Sequence, residues 1–244
     1  VTEILVNDIR IRYERVQAQI QAAAMKAGRA PEAVRLVVVT KTHPLDAVLA
    51  AIQAGARVLG ENYAEEAVQK IGAIASSQVE WHMIGHVQSR KADLVAQNFH
   101  MIHSLDSLKL ANRLSRFCVE SGRSLTALLE CNVSGEESKF GYAAWDDNGR
   151  EALCRDIEQM LALPNLKLSG LMTMPPLADD PEESRPFFRR LRELAEFLSK
   201  RFPQTGWEQL SMGTTADFTV AVEEGATLVR VGTAIMGPRP AAGQ

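Results

Sequence analysis

The sequence predicts an α/β fold, a single closed (β/α)8 barrel with an additional N-terminal helix, over residues 1–244 as one domain. Three observations carry the expectation: eight short runs rich in β-branched residues, helix-compatible segments between them, and a 244-residue length that such barrels commonly occupy as one unit. Parallel strands joined eight times by helical crossovers favour closure.

Ahead of the first strand, Ile9, Tyr13, Val16 and Ile20 alternate four- and three-residue spacings and share one helical face. The pattern stops short of the several heptads a coiled-coil arm needs. Strand one is expected at 36–41, then a helix over 46–54; strands two, three and four at 58–63, 81–85 and 101–106, the last followed by a helix over 107–120. Strand five is expected at 126–134, strand six at 167–174 with a helix over 182–201, strand seven at 209–213 with a helix over 216–224, and strand eight at 228–237. The polar stretches 135–149 and 175–186 read as long loops after strands five and six. Only a Pro- and Gly-containing tail, 238–244, follows strand eight, so the leading helix is expected to cover the face an eighth helix would protect.

Lys and Arg total 27 against 30 Asp and Glu, a net charge of −3, and no long basic run supplies a nucleic-acid footprint. The three cysteines, Cys118, Cys131 and Cys154, are odd in number and lack CxxC spacing, which suits reduced packing residues. No apolar run approaches the roughly 20 residues of a membrane span, and the N-terminal segment lacks the basic-then-apolar order of a signal peptide. A cytoplasmic location without membrane or nucleic-acid partners is expected.

Sites on such barrels gather at the C-terminal strand ends, with phosphate held after strands seven and eight. Strand seven runs out through Ser211-Met212-Gly213-Thr214-Thr215 into a helix, and strand eight carries Arg230, Gly232 and Thr233. Together they form a candidate phosphate cup, although turn and cap chemistry alone also selects Ser, Thr and Gly at such junctions. Lys41 shares the facing of Val37 and Val39 by the strand's two-residue period, so it points into the barrel mouth if those valines fill the barrel. Lost hydration there would lower its amine pKa and favour attack on an aldehyde. A phosphorylated aldehyde spanning lysine and cup would use both, and pyridoxal 5'-phosphate (PLP) is the common cofactor of that description. His82 and His86 have a zinc-like separation but straddle a strand end with no third ligand in view, so hydrogen bonding or packing is the expectation. Glu61 and Asn62 are placed to touch a cofactor ring, with Glu61 equally suited to a buried basic partner. Met172 and Met174 read as barrel packing.

These motifs resemble the pyridoxal phosphate homeostasis proteins, the YggS or PROSC family, along nearly the whole chain. The carrying segments are Val39-Thr40-Lys41-Thr42, Gly60-Glu61-Asn62-Tyr63, Trp81-His82-Met83-Ile84-Gly85, Gln88-Ser89-Arg90-Lys91, Ser138-Lys139-Phe140-Gly141, Gly170-Leu171-Met172, Leu210-Ser211-Met212-Gly213 and the run from Val229 to Gly237. The resemblance implies a barrel similar to the N-terminal domain of alanine racemase, with Lys41 as the Schiff-base lysine. It further implies phosphate contacts from Ser211, Gly232 and Thr233, Arg230 near the pyridine nitrogen or phosphate side, and Asn62 beside the ring. The family is regarded as managing free PLP without established turnover, which implies PLP and related B6 vitamers as ligands, a monomer, and transient contact with PLP-dependent enzymes. Departures are Thr214-Thr215 where the family often has Met-Ser, His43, and His86 in place of a proline. The Thr215 hydroxyl keeps the chemistry of serine.

The main alternative is a PLP-dependent racemase or decarboxylase on the same barrel. Racemases of this type resemble two-domain enzymes whose second domain supplies a tyrosine base; the tyrosines here are Tyr13, Tyr63 and Tyr142, and Tyr142 lies in a loop with reach to the mouth. A permanently charged Arg230 at the pyridine nitrogen would also weaken the electron sink. A phosphosugar or nucleotide enzyme remains open on fold grounds, with imine formation on Lys41 as the discriminator.

Overall fold

The computed structural model describes residues 1–74, 77–136 and 138–238. Its strands are β1 (Arg35–Val39), β2 (Val58–Glu61), β3 (Glu80–Met83), β4 (Met101–Leu105), β5 (Leu125–Asn132), β6 (Tyr142–Ala143), β7 (Leu166–Met172), β8 (Gln209–Ser211) and β9 (Leu228–Val231). The helices are α1 (Glu3–Lys26), α2 (Leu45–Gln53), α3 (Ala64–Ile74), α4 (Ala92–Asn98), α5 (Leu108–Ser121), α6 (Asp147–Met160), α7 (Arg185–Arg201), α8 (Phe218–Glu223) and α9 (Thr233–Met236). The parallel order β4-β3-β2-β1-β9-β8-β7-β5 is closed by pairing of β4 with β5, which makes the expected eight-stranded barrel. The two-residue β6 pairs only with β5. No helix among the described residues is long and apolar enough to cross a membrane.

Local chemistry sets the helix boundaries. The Ser107 hydroxyl accepts from the Leu110 amide to start α5, and Gly122 at φ 66° ends it in the left-handed region. The Asp146 carboxylate accepts from the Gly149 amide at 2.7 Å to start α6. The leading helix buries Val6, Ile9, Val16 and Ile20 and packs against α2, α8 and α9. Because β9 is followed by a one-turn helix, α1 fills the gap between α8 and α2, as the sequence suggested.

Several strand boundaries are corrected. Residues 228–237 do not form one strand: β9 ends at Val231 and Thr233–Met236 turn into α9. Hydrogen bonding to the sheet also stops before Lys41, Asn62, Ser134 and Met174, which lie in the loops at the strands' C-terminal ends. The helix expected from 216 begins at Phe218, after a turn. Of the tail at 238–244, residues 239–244 lie outside the described residues.

The core has two compartments. One large cluster lies between strands and helices. A second lies inside the barrel: Val37, Val58, Met101, Leu128, Met172 and Leu228, from six different strands. By strand alternation, the inward positions one step further along β5 and β9 are Glu130 and Arg230, while His82, His103 and Ser211 occupy the interior on β3, β4 and β8. The barrel centre is therefore apolar on one part of its wall and ionisable on another.

Candidate functional site

A cavity of about 920 Å³ opens at the C-terminal ends of the strands. Lys41, Asn62, Arg230, Gly232 and Thr233 all line it, so five of the six sequence-predicted site residues converge. Val39 lies beside Lys41 and Val37 sits inside the barrel, so the alternation argument for the lysine's facing holds although Lys41 itself lies past the strand.

The Lys41 turn is held from behind. Thr42 adopts φ 63°, a rare conformation for a β-branched residue. Its amide donates to Glu66 Oε1 at 2.8 Å. Lys70 Nζ, on α3, donates to that same oxygen at 2.6 Å, to Glu61 Oε1 at 2.8 Å and to the Thr40 carbonyl at 2.8 Å. Thr40 Oγ1 donates to Glu61 Oε1 at 2.7 Å. Glu61 is thus a buried partner of a base behind the barrel wall, the second of the two roles its sequence allowed, and burial raises its pKa against the opposing pull of Lys70. Sequence reading missed Lys70, although the Glu66–Lys70 spacing of four on a helix was a usable signal.

On the loops after β8 and β9, the latter paired with the lysine's own strand, Thr214, Thr215, Gly232 and Thr233 line one wall. The Gly232 amide donates to Thr215 Oγ1 at 3.3 Å, tying the two loops together. Asp217 Oδ1 accepts from the Thr214 amide at 2.7 Å and from its hydroxyl at 3.1 Å, which shapes the turn before α8. Gly213, at φ 90°, has no room for a Cβ, which would lie 2.5 Å from that of Ala221. The anion-binding groups offered here are the Thr215 and Thr233 side chains and the first-turn amides of α9.

Ser211 is the sixth predicted residue and is placed differently. It is fully buried, does not line the cavity, and its Oγ lies 2.8 Å from His103 Nδ1 while accepting from Arg230 Nη1. The hydroxyl residues of this loop that line the cavity are Thr214, bonded to Asp217, and Thr215. Arg230 also donates through Nη2 to the Thr173 carbonyl at 3.0 Å and to Met174 Sδ at 2.9 Å. Met174 is therefore a cavity residue and not barrel packing, whereas Met172 is both buried in the barrel and part of the cavity floor. Burial lowers the Arg230 pKa to about 10, opposed by Asp217 and Glu130, which leaves it cationic at neutral pH.

Two polar atoms at the cavity have no hydrogen-bond partner among the described residues: Asn62 Oδ1 and Glu130 Oε2. Such orphans are expected where a ligand completes the site. Asn62 is gripped by the loop after β3, where a Cβ on Gly85 would come within 2.4 Å of the Asn62 carbonyl oxygen. Burial pushes Glu130 up to about 7, with Asp106 adding and Arg230 opposing. Sequence reading passed over Glu130, a lone acid inside the apolar run of strand five.

The two histidines considered as a metal pair are separated by the structure. His82 is buried in the barrel, whereas His86 sits at the rim, stacked on Phe140 at 4.5 Å with Nδ1 3.0 Å from Asp106 Oδ2. Tyr142 donates to Asp156 Oδ2 at 3.0 Å on α6 and does not line the cavity. The residues present fit PLP: an amine, hydroxyl- and glycine-bearing strand ends suited to a phosphate, apolar lining from Val39, Ile84 and Met172, and two orphaned polar atoms.

Comparison with known proteins adds relatives to this geometry. Residues 11–240 match the family described as alanine racemase, N-terminal domain. A pyridoxal phosphate homeostasis protein from Pseudomonas aeruginosa is 43% identical over 225 residues, 92% of this chain and 93% of the relative. One from Vibrio alginolyticus is 39% identical over 238 residues, covering 96% and 98%. The structure of PipY from Synechococcus elongatus with PLP bound superposes with a TM-score of 0.81 at 34% identity, over 94% of this chain and 100% of that one.

Proposed function

The chain belongs to the pyridoxal phosphate homeostasis proteins of the alanine racemase N-terminal domain family, and from that premise we propose that it binds PLP as a Schiff base on Lys41 and serves intracellular PLP homeostasis without amino-acid turnover. The observation that carries the proposal is the convergence of Lys41 with Thr214, Thr215, Gly232 and Thr233 in one cavity. The Lys41 amine would condense with the aldehyde that PLP brings, with release of one water. Gly232, Thr233 and Thr215 would hold the phosphate, Asn62 and Arg230 would contact the cofactor from the cavity lining, and Ser211 would act behind Arg230. The PLP-bound PipY structure supports the cofactor, and the names of the relatives support the role. Residues 1–244 are read as one PLP-binding barrel domain, cytoplasmic and monomeric, with B6 vitamers as ligands and PLP-dependent enzymes as transient partners.

Amino-acid turnover needs a proton acceptor at the substrate's Cα, and proton transfer by a positioned group is worth about 10² to 10⁴ in rate. The tyrosine that sequence reading held in reserve, Tyr142, is bound to Asp156 away from the cavity. The second reading, a racemase or decarboxylase, would rest instead on Glu130, a cavity carboxyl with a pKa near neutrality. Incubating PLP-loaded protein with L- and D-amino acids in deuterated water separates the two. The expected result is negligible Cα exchange, racemisation or decarboxylation. Turnover at about 1 s⁻¹, the low end of ordinary enzymes, abolished in Glu130→Gln, would overturn the homeostasis reading.

A further inference from the structure

A hydrogen-bonded chain crosses the barrel interior from its N-terminal end to the cavity. Arg35 Nη2 contacts Glu80 Oε2 at 2.6 Å, and the same oxygen lies 3.4 Å from His82 Nε2. His82 Nδ1 is 3.0 Å from His103 Nε2, and His103 Nδ1 is 2.8 Å from Ser211 Oγ, which in turn contacts Arg230. Glu80 is half exposed at the barrel's N-terminal end, whereas both imidazoles and Ser211 are fully buried.

With both imidazoles neutral, donor and acceptor rules allow one assignment that uses every link. A guanidinium only donates, so Ser211 Oγ accepts from Arg230 and its single proton goes to His103 Nδ1. His103 then carries its proton on Nε2 and donates to His82 Nδ1, and His82 donates from its own Nε2 to the Glu80 carboxylate. Reversing either imidazole sets lone pair against lone pair at Glu80 or strands the serine proton. Both rings are neutral in this scheme, and burial lowers the pKa of each. The charged or titratable groups around them are Arg35, Glu80, His100 and Arg230, and only Glu80 favours a charged ring. The chain has the Arg230 cation at one end and an anion at the other, held near pKa 2 by its bond to His82 and by Arg35.

We propose that His103 and His82 are positioning residues for PLP: acting through Ser211, they fix the Arg230 guanidinium in the orientation it presents to the cofactor. The proposal rests on the PLP reading above. In the chain the Ser211 proton is committed to His103, which leaves the serine lone pairs to Arg230; without His103 the hydroxyl is free to turn, and Glu130, with an unpartnered oxygen in the same cavity, becomes a competing partner.

The test has two parts. Nitrogen-15 spectra of the cofactor-free protein at pH 7 are expected to give both imidazoles as neutral Nε2–H tautomers; a charged ring, or an Nδ1–H tautomer at either, overturns the chain. Equilibrium dialysis with PLP then reads its consequence. Loss of the neutral Ser211–His103 hydrogen bond, which frees the hydroxyl that Arg230 leans on, is expected to weaken affinity about five-fold in His103→Leu. His103→Asn, which keeps an acceptor towards Ser211, should recover most of it. A folded His103→Leu with wild-type affinity, or equal weakening in both variants, overturns the positioning role. If His103→Leu fails to fold, Ser211→Ala cuts the same chain by deleting one oxygen and carries the same expectation. Wild-type protein that takes up no PLP would instead sink the proposed function itself, which the cofactor-free spectra do not depend on.

Discussion

Lys41→Ala is expected to abolish covalent retention of PLP, with loss of the absorbance near roughly 420 nm that a protonated lysine imine of this cofactor gives. The side chain lines the cavity from the turn after β1, and no other described lysine shares its position at the end of the strand paired with β9; Lys91, which also lines the cavity, is ion-paired with Glu65. The phosphate-side groups remain in the variant, so PLP should bind reversibly and be stripped on gel filtration. Lys41→Arg separates charge from covalency: it keeps the cation and cannot form the imine. Both variants should behave alike in absorbance, and an arginine variant that retains the band would assign the imine to another residue.

The second large effect is on stability. Lys70 is buried and bonded to Glu61, Glu66 and the Thr40 carbonyl, and Glu61 is completely inaccessible. Removing one partner of a buried ion pair strands the other charge, at a cost of about 3–5 kcal/mol. Lys70→Met is therefore expected to lower unfolding free energy by that order in urea melts at pH 8. The loss is pH-dependent with a definite sign. Burial already raises the folded-state pKa of Glu61, and without Lys70 it rises further, so the folded state holds a proton that the unfolded chain has released. The deficit is full above the folded pKa and shrinks as pH falls towards the ordinary carboxylate range. A deficit that grows on acidification would contradict this account. Glu66, which accepts from the strained Thr42 turn, loses its Lys70 partner in the same variant, so PLP affinity should fall with stability.

The strands were legible because β-branched runs separated by amphipathic segments encode a barrel whose two faces are both buried. Their ends were less legible. Alternation continues past the last ladder hydrogen bond at Lys41 and Asn62, which gave correct facing with incorrect boundaries. At 228–237 the apolar residues Ile235 and Met236 fit strand and helix alike, and the change at Gly232 has no strong sequence mark. Ser211 was read one layer too high: it does point into the barrel, but Gly213 at φ 90° redirects the chain, so Thr215 carries the hydroxyl that meets the cavity. Lys70, Glu130 and His103 each sit on an element whose pattern is otherwise ordinary, and their roles depend on partners brought together only by closure of the barrel.

The most direct measurement of the central claim is borohydride reduction of the PLP-loaded protein followed by mass-spectrometric mapping of the modified peptide. Reduction makes the imine permanent without changing which nitrogen carries it. The expected result is one pyridoxyl adduct, on Lys41, formed with loss of the visible band. Recovery of the adduct on Lys139 or Lys91 with Lys41 unmodified would contradict the account and move the cofactor away from the barrel mouth.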